Sequence, residues 1–133
     1  MRVTALIAED EPLLRLQLKE ALAQAWPALE IVAEAEDGDA ALAALAQQRP
    51  DIAFLDIRMP GANGLEVARA ASGRCHVVFL TAYDEHALAA FDAGAVDYLL
   101  KPLQAGRLAV AVARLQQRLA QPPADLRALL ASL

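Results

Sequence analysis

The hydrophobic residues of this 133-residue chain fall into short runs that alternate with longer amphipathic stretches. Short, mostly apolar runs bounded by turn residues are typical of strands buried in a sheet. The runs that fit this description are Val3–Ala8, Glu30–Ala35, Ile52–Asp56, His76–Thr81 and Val96–Leu100. The pattern therefore predicts five strands, of which the first and the third are buried.

Between these runs, apolar residues recur three and four positions apart, which predicts helices. Pro12 suits the first turn of a helix and Asp37-Gly38-Asp39 offers a helix cap, so both mark helix starts. The predicted helices run from Pro12 to Trp26, from Ala40 to Gln48, from Asn63 or Gly64 to about Ser72, from Asp84 or Glu85 to Gly94, and from Leu103 to Leu119. Strands and helices in alternation predict one parallel sheet that is covered on both faces.

The composition is that of a single globular domain, with 57% hydrophobic, 22% charged and 5% aromatic residues. The net charge of −5 argues against a nucleic-acid-binding surface, because phosphate contacts need clustered Lys and Arg. No apolar segment approaches the length that crosses a bilayer. We therefore expect a cytoplasmic protein that binds no membrane and, through this domain itself, no nucleic acid.

Cysteine and histidine are too sparse to predict a metal centre. Cys75 is the only cysteine, which excludes an internal disulfide and a thiolate cluster. Neither His76 nor His86 has a second histidine or a carboxylate at a convincing ligand spacing. We expect a free thiol at Cys75 and surface positions for both histidines.

Polar residues stand at the carboxyl ends of four predicted strands. Glu9 and Asp10 follow the first strand, Asp56 ends the third, Thr81 ends the fourth and Lys101 follows the fifth. In open parallel sheets the ligand crevice lies at this edge. Carboxylates that converge there repel one another unless a cation intervenes, and Mg²⁺ suits one or two carboxylates plus a phosphate oxygen. With a lysine and a hydroxyl, the set predicts a phosphoryl-transfer site whose nucleophile is Asp56.

The residues after Asp56 predict a loop, because Met59-Pro60-Gly61 and Asn63-Gly64 are turn sequences. The carboxylate of Asp56 is therefore expected at the mouth of that loop. Taken singly, each acid also fits a solvated strand end or a helix cap. The ordered set favours the phosphoryl-transfer interpretation.

These motifs together resemble the receiver domain of two-component response regulators. They are Glu9-Asp10, Asp56 with Met59-Pro60-Gly61-x-x-Gly64, Thr81-Ala82 and Lys101-Pro102, and the resemblance runs from about Val3 to Leu119. It implies a flavodoxin-like (βα)5 doubly wound parallel sheet with strand order 2-1-3-4-5. It also implies a receiver domain in residues 1–120, with residues 121–133 as a linker or C-terminal helix toward an output domain.

The stretch from Thr81 to Pro102 is similar to receivers of the LytTR (LytR/AlgR-like) subgroup. Those receivers usually precede a DNA-binding output domain that controls transcription. We therefore expect the output domain to lie outside this sequence. Leucines at positions 126, 129, 130 and 133 fit either a linker helix or a short helix that packs on the domain itself.

The resemblance implies a role for each matching residue. Asp56 accepts a phosphoryl group from the phosphohistidine of a sensor histidine kinase, and Lys101 pairs with the phosphoryl oxygens. Asp10, Asp56 and the backbone carbonyl of Arg58 hold Mg²⁺ (or Mn²⁺), which Glu9 reaches through water. Apart from its own phosphorylation and dephosphorylation, no enzymatic activity is implied.

The family also implies a switch. The hydroxyl of Thr81 moves to the phosphate and the ring of Tyr98 turns inward, which changes the face made by the fourth and fifth helices and the fifth strand. A homodimer through that face is expected on phosphorylation. A cis peptide is implied between Lys101 and Pro102. Large side chains at Arg58 and Tyr83 imply an acyl phosphate that lasts minutes or longer.

Three other interpretations stay open. An aspartyl-phosphate phosphatase of the dehalogenase type carries a second Asp two residues after its nucleophile, where this chain has Arg58. A flavodoxin-like cofactor module needs hydrogen-bond donors after its first strand, where Glu9-Asp10-Glu11 would repel a phosphate. The third is a receiver-like interaction module that works without phosphorylation, and the presence of every reactive residue disfavours it.

Overall fold

A computed structural model describes residues 2–82 and 95–123 of the chain. Its strands are β1 (Thr4–Ala8), β2 (Glu30–Ala35), β3 (Ile52–Asp56), β4 (His76–Thr81) and β5 (Asp97–Leu100). Three of the strands have the predicted bounds, and the first and last each begin one residue later than predicted.

All five strands form one parallel sheet in the order β2-β1-β3-β4-β5. This order confirms the predicted flavodoxin-like, doubly wound α/β fold. Ile7 of β1 lies beside Phe54 of β3, which lies beside Val78 of β4. Because neighbouring strands are in register, their carboxyl ends lie close together at one edge of the sheet.

The described helices are α1 (Pro12–Ala25), α2 (Gly38–Gln48), α3 (Gly64–Ala71) and α4 (Ala105–Arg118). Local sequence sets where two of these helices begin. At the start of α2, the Asp37 side chain accepts a hydrogen bond from the amide of Ala40 at 2.7 Å, and at the start of α3, Asn63 and Glu66 form a reciprocal capping box. Helix α4 corresponds to the fifth predicted helix. The predicted helix between β4 and β5, together with the tail beyond residue 123, lies outside the described residues.

The core consists of two apolar layers, one on each face of the sheet. Leu55 and Phe79 point toward α2 and α3, whereas Phe54 and Val78 point toward α1 and α4. Every residue of β3 and β4 is buried. Close packing on both faces holds the ends of these strands in fixed positions. Within the described ranges, no helix is long and apolar enough to cross a membrane.

The prediction of a surface position is wrong for His76, which is 6% exposed. His76 begins the interior strand β4, where the imidazole lies near Gln121, just beyond the end of α4. Burial lowers the pKa of His76, and a hydrogen bond to the carbonyl of Gln121 offsets part of that decrease. Sequence spacing could not predict this position, because the burial comes from a distant helix end. His86 lies outside the described residues.

Candidate functional site

The predicted polar residues meet at the carboxyl edge of the sheet. Glu9 and Asp10 follow β1, Asp56 is the last residue of β3, Thr81 is the last residue of β4, and Lys101 follows β5 directly. The chain alternates between strand and helix, so each strand end delivers its side chains to the same crevice.

Three carboxylates form the centre of the site. Glu9, Asp10 and Asp56 each offer an oxygen, and these oxygens lie within 4.8 Å of one another. Glu9 is 1% exposed and Asp56 is 3% exposed, whereas Asp10 is half-buried. Water screens buried charges poorly, so the cluster attracts a cation strongly.

Lys101 supplies a positive charge to two of these acids. Its Nζ lies 2.9 Å from Oδ2 of Asp56 and 2.6 Å from Oε1 of Glu9. Burial lowers the pKa of Lys101, but the hydrogen bonds to Glu9 and Asp56 outweigh that effect and the net shift is upward. Lys101 is therefore an ammonium at neutral pH. The predicted cis peptide between Lys101 and Pro102 is confirmed.

Glu9 has an unusual protonation equilibrium. Its pKa rises from 4.5 to about 8, chiefly through burial and further through the neighbouring carboxyls of Asp56 and Asp10, while Lys101 opposes the rise. Oε1 of Glu9 faces the Lys101 ammonium at 2.6 Å, and among the described residues this buried oxygen has no other partner. A carboxylate oxygen has more than one lone pair, so Oε1 can accept a further hydrogen bond, for example from a water molecule.

The donor set fits a hard divalent cation. Mg²⁺ binds carboxylate oxygens and retains several waters. When Glu9 has lost its proton, the three carboxylates and the Lys101 ammonium carry a net charge of −2, which a divalent cation neutralises. All three acids offer an oxygen to such an ion, and the assignment of Asp10 and Asp56 as its direct ligands stays a prediction.

The loop after Asp56 is held against the backbone of Asp56 itself. The Arg58 amide donates to Oδ1 of Asp56 at 3.2 Å, and the Gly64 amide donates to the Ile57 carbonyl at 2.8 Å. A Cβ on Gly64 would lie 2.1 Å from the carbonyl oxygen of Asp56. Only glycine allows this approach. The turn sequence predicted the loop but not this close contact.

A second glycine holds the same loop from outside. The Gly38 amide donates to the Pro60 carbonyl at 3.1 Å, and a Cβ on Gly38 would lie 1.7 Å from the carbonyl oxygen of Ala62. The start of α2 therefore packs directly on the loop that follows the phosphoacceptor candidate. Sequence reasoning treated Gly38 only as part of a helix cap.

The residues predicted to form the switch lie near the site. Thr81 is 1% exposed, and its carbonyl accepts a hydrogen bond from the Lys101 amide at 2.9 Å. Tyr98 is half-buried beside Phe79, against the apolar layer that faces α2 and α3. Arg58 is exposed, and the role predicted for its carbonyl stays a prediction. Tyr83 lies outside the described residues.

Sequence reasoning missed a buried charge cluster next to Tyr98. Asp97 is 0% exposed, and its carboxylate accepts a hydrogen bond from Arg107 at 2.8 Å and forms an ion pair with Arg114 at 2.9 Å. Burial raises the pKa of Asp97, but the hydrogen bonds from Arg107 and the Tyr98 amide outweigh it, so the pKa is lowered. Arg107 also donates to the Tyr98 carbonyl at 3.0 Å, which ties β5 to α4. An acid inside an apolar strand was the available signal.

Comparison with known proteins identifies relatives of this architecture and site. Residues 5–113 match the response regulator receiver domain. An uncharacterized response regulatory protein of Vibrio cholerae is 56% identical over 119 residues, which cover 87% of this chain and 46% of that protein. The transcriptional regulatory protein BtsR of Escherichia coli is 44% identical over 117 residues, covering 86% of this chain and 48% of that protein. The chain thus spans about half the length of these relatives.

Solved structures agree with the sequence comparison. The REC domain of AraT, a response regulator from Geobacillus stearothermophilus, aligns with a TM-score of 0.81 and 37% identity, covering 91% of this chain and 98% of that one. The response regulatory domain of protein mrkE from Klebsiella pneumoniae aligns with a TM-score of 0.81 and 33% identity, covering 90% and 99%.

Proposed function

The chain belongs to the receiver domains of response regulators, and from that premise we propose that Asp56 accepts a phosphoryl group from a sensor histidine kinase in a Mg²⁺-dependent reaction. The observation that carries the proposal is the environment of Asp56. Its carboxylate is buried at the end of β3, is paired with Lys101 at 2.9 Å, and faces two further acids. This arrangement supplies a nucleophile, a fixed positive charge and the ligands for a cation.

In the proposed reaction, a carboxylate oxygen of Asp56 attacks the phosphorus of a phosphohistidine. The new bond is an acyl phosphate, and the phosphorus–nitrogen bond breaks with its electron pair on the imidazole. Lys101 neutralises charge on the phosphoryl oxygens, and the Thr81 hydroxyl donates to one of them. Asp10 and Asp56 would hold Mg²⁺, which supplies further positive charge to the same oxygens.

The same residues would transmit the event. Recruitment of Thr81 toward the phosphoryl group vacates space beside it, and Tyr98 turns inward to fill that space. The face made by β5, α4 and the predicted helix before β5 changes with it. We propose that this face forms a homodimer on phosphorylation, which sedimentation with and without a phosphoryl mimic would test.

We further propose that the output is transcription and that the receiver is of the LytTR type. The likeness to the transcriptional regulatory protein BtsR supports the first part, and the stretch from Thr81 to Pro102 supports the second. The cytoplasmic location expected from the sequence is part of the same proposal.

The direct test is incubation with acetyl phosphate and Mg²⁺, read by intact mass. A single phosphoryl adduct is expected on the unaltered chain and on Asp51→Asn, which removes an exposed carboxylate at the opposite edge of the sheet. No adduct is expected on Asp56→Asn or with excess chelator. An adduct that survives Asp56→Asn would refute the assignment.

The proposal includes no further enzymatic activity. A phosphatase of the dehalogenase type needs an acid two residues after the nucleophile, and that residue is the exposed Arg58. Turnover of a phosphate ester at a rate above that of acyl-phosphate decay would contradict this part.

A further inference from the structure

Arg15 links α1 to the backbone of the acidic site. The residue lies in the first turn of α1, and its Nη1 donates to the Glu9 carbonyl at 2.6 Å. Glu9 is 1% exposed, so its carbonyl is remote from bulk water. A hydrogen bond from a charged group to such a carbonyl is among the stronger ones in a protein.

This contact is made where the chain leaves the sheet. Strand β1 ends at Ala8, and the Glu9 amide still donates to the Ala35 carbonyl at 2.9 Å. The Glu9 carbonyl belongs to the peptide unit that joins Glu9 to Asp10. The guanidinium therefore fixes the plane of the peptide from which both acidic side chains leave the backbone.

A second contact fixes the guanidinium. Nε of Arg15 lies 3.5 Å from Oε1 of Glu34 on β2, and Oε2 of Glu34 is 2.9 Å from Nζ of Lys19. The Arg15 side chain is 18% exposed, against 38% for Lys19. Lys19 shares Glu34 with Arg15, but no contact joins it to Glu9 in the described part of the chain, so it provides a matched control.

We propose that Arg15 is a positioning residue for the cation site: by binding the Glu9 carbonyl, it orients the Glu9–Asp10 peptide so that both carboxylates face Asp56. The inference rests on the proposed function only in taking this site to bind a divalent cation. Arg15 itself does not touch the cation or the phosphoryl group.

Two roles of Arg15 make opposite predictions for cation affinity. If Arg15 acted only as a nearby positive charge, its removal would strengthen Mg²⁺ binding, because repulsion would be relieved. If Arg15 positions the acids, its removal weakens binding, since outer partners of metal ligands are typically worth about tenfold or more in affinity. The sign of the change therefore separates them.

The experiment measures Mg²⁺ binding to the 133-residue chain by isothermal titration calorimetry, with thermal unfolding as the check on folding. Arg15→Gln is expected to raise the Kd for Mg²⁺ about tenfold, Arg15→Lys to recover part of the loss, and Lys19→Gln to stay within about twofold of the unaltered chain. In acetyl phosphate assays, Arg15→Gln should raise the Mg²⁺ concentration for half-maximal rate, with the rate at saturating Mg²⁺ nearly unchanged.

Unchanged or tighter Mg²⁺ binding in folded Arg15→Gln would overturn the inference, and so would an equal weakening in Lys19→Gln. Loss of the rate at saturating Mg²⁺ without a shift in half-saturation would overturn it as well. The proposed function fails separately, if the unaltered chain binds Mg²⁺ but is not phosphorylated on Asp56.

Discussion

Glu9 makes Mg²⁺ binding depend on pH in a way that can be worked out from the site. Its pKa is about 8 in the protein and 4.5 in a free side chain. At neutral pH most molecules therefore hold a proton on Glu9, and a cation that binds beside it must displace that proton. The variant Glu9→Gln replaces the titrating carboxyl group with a neutral amide of nearly the same size.

The size of the effect follows from the pKa. Removal of the proton one pH unit below a pKa costs about 1.4 kcal/mol, which is about tenfold in affinity. We expect the Kd for Mg²⁺ to fall about tenfold per pH unit up to about pH 8 and then to level off. At about pH 7, close to one proton should be released per ion bound. Glu9→Gln should show no such dependence.

The folding stability of the metal-free chain should change in the opposite direction. A carboxyl group whose pKa is raised on folding stabilises the fold while it is protonated. Its contribution is complete below the ordinary value of 4.5 and is lost as the pH rises through about 8. The shift of about three and a half units corresponds to roughly 5 kcal/mol at most. The Tm without metal should fall over this range, and stabilisation by Mg²⁺ should grow.

Calorimetry at several pH values, in two buffers with different ionisation enthalpies, measures both the affinity and the number of protons released. Thermal unfolding with and without Mg²⁺ provides an independent reading. A Kd that does not change between about pH 6 and about pH 8 would refute the reasoning, as would the same slope in Glu9→Gln.

Three further predictions concern the rest of the site. Gly64→Ala places a methyl group 2.1 Å from the carbonyl oxygen of Asp56, so the free energy of unfolding measured with denaturant should fall by about 2 kcal/mol and phosphorylation should slow. The control Gly106→Ala, in open space on α4, should be neutral or stabilising. Asp97→Asn should lower the free energy of unfolding by about 1 to 3 kcal/mol. Because the pKa of Asp97 is lowered from 3.8, its contribution is complete above that value and is lost on acidification, which should occur only in the unaltered chain. Equal acid sensitivity in both proteins would contradict this. Phosphorylated protein should keep its label for minutes or longer and lose it faster in Arg58→Ala and Tyr83→Ala; rapid loss in the unaltered chain would exclude shielding.

Much of the fold follows from local patterns. The apolar runs predicted β2, β3 and β4 with the observed bounds. Strands β3 and β4 are buried on both faces and are therefore apolar along nearly their whole length, whereas β2 is a partly exposed edge strand that was marked only by its short apolar run. Helix starts at Pro12 and Asp37 were readable because capping depends on a few neighbouring residues. The meeting of the polar residues at one edge was also predictable, since side chains at the carboxyl ends of parallel strands reach one crevice.

Contacts between distant segments could not be predicted in this way. The Arg15 bond to the Glu9 carbonyl, the burial of Asp97 beneath two arginines, and the burial of His76 at the end of α4 all depend on how helices dock on the sheet. The sequence alone determined which polar groups form the candidate site, because side-chain chemistry and strand position are local properties. Only the tertiary structure decided how strongly Glu9 holds its proton and what orients it, since burial and charge at a site are sums over residues far apart in the chain.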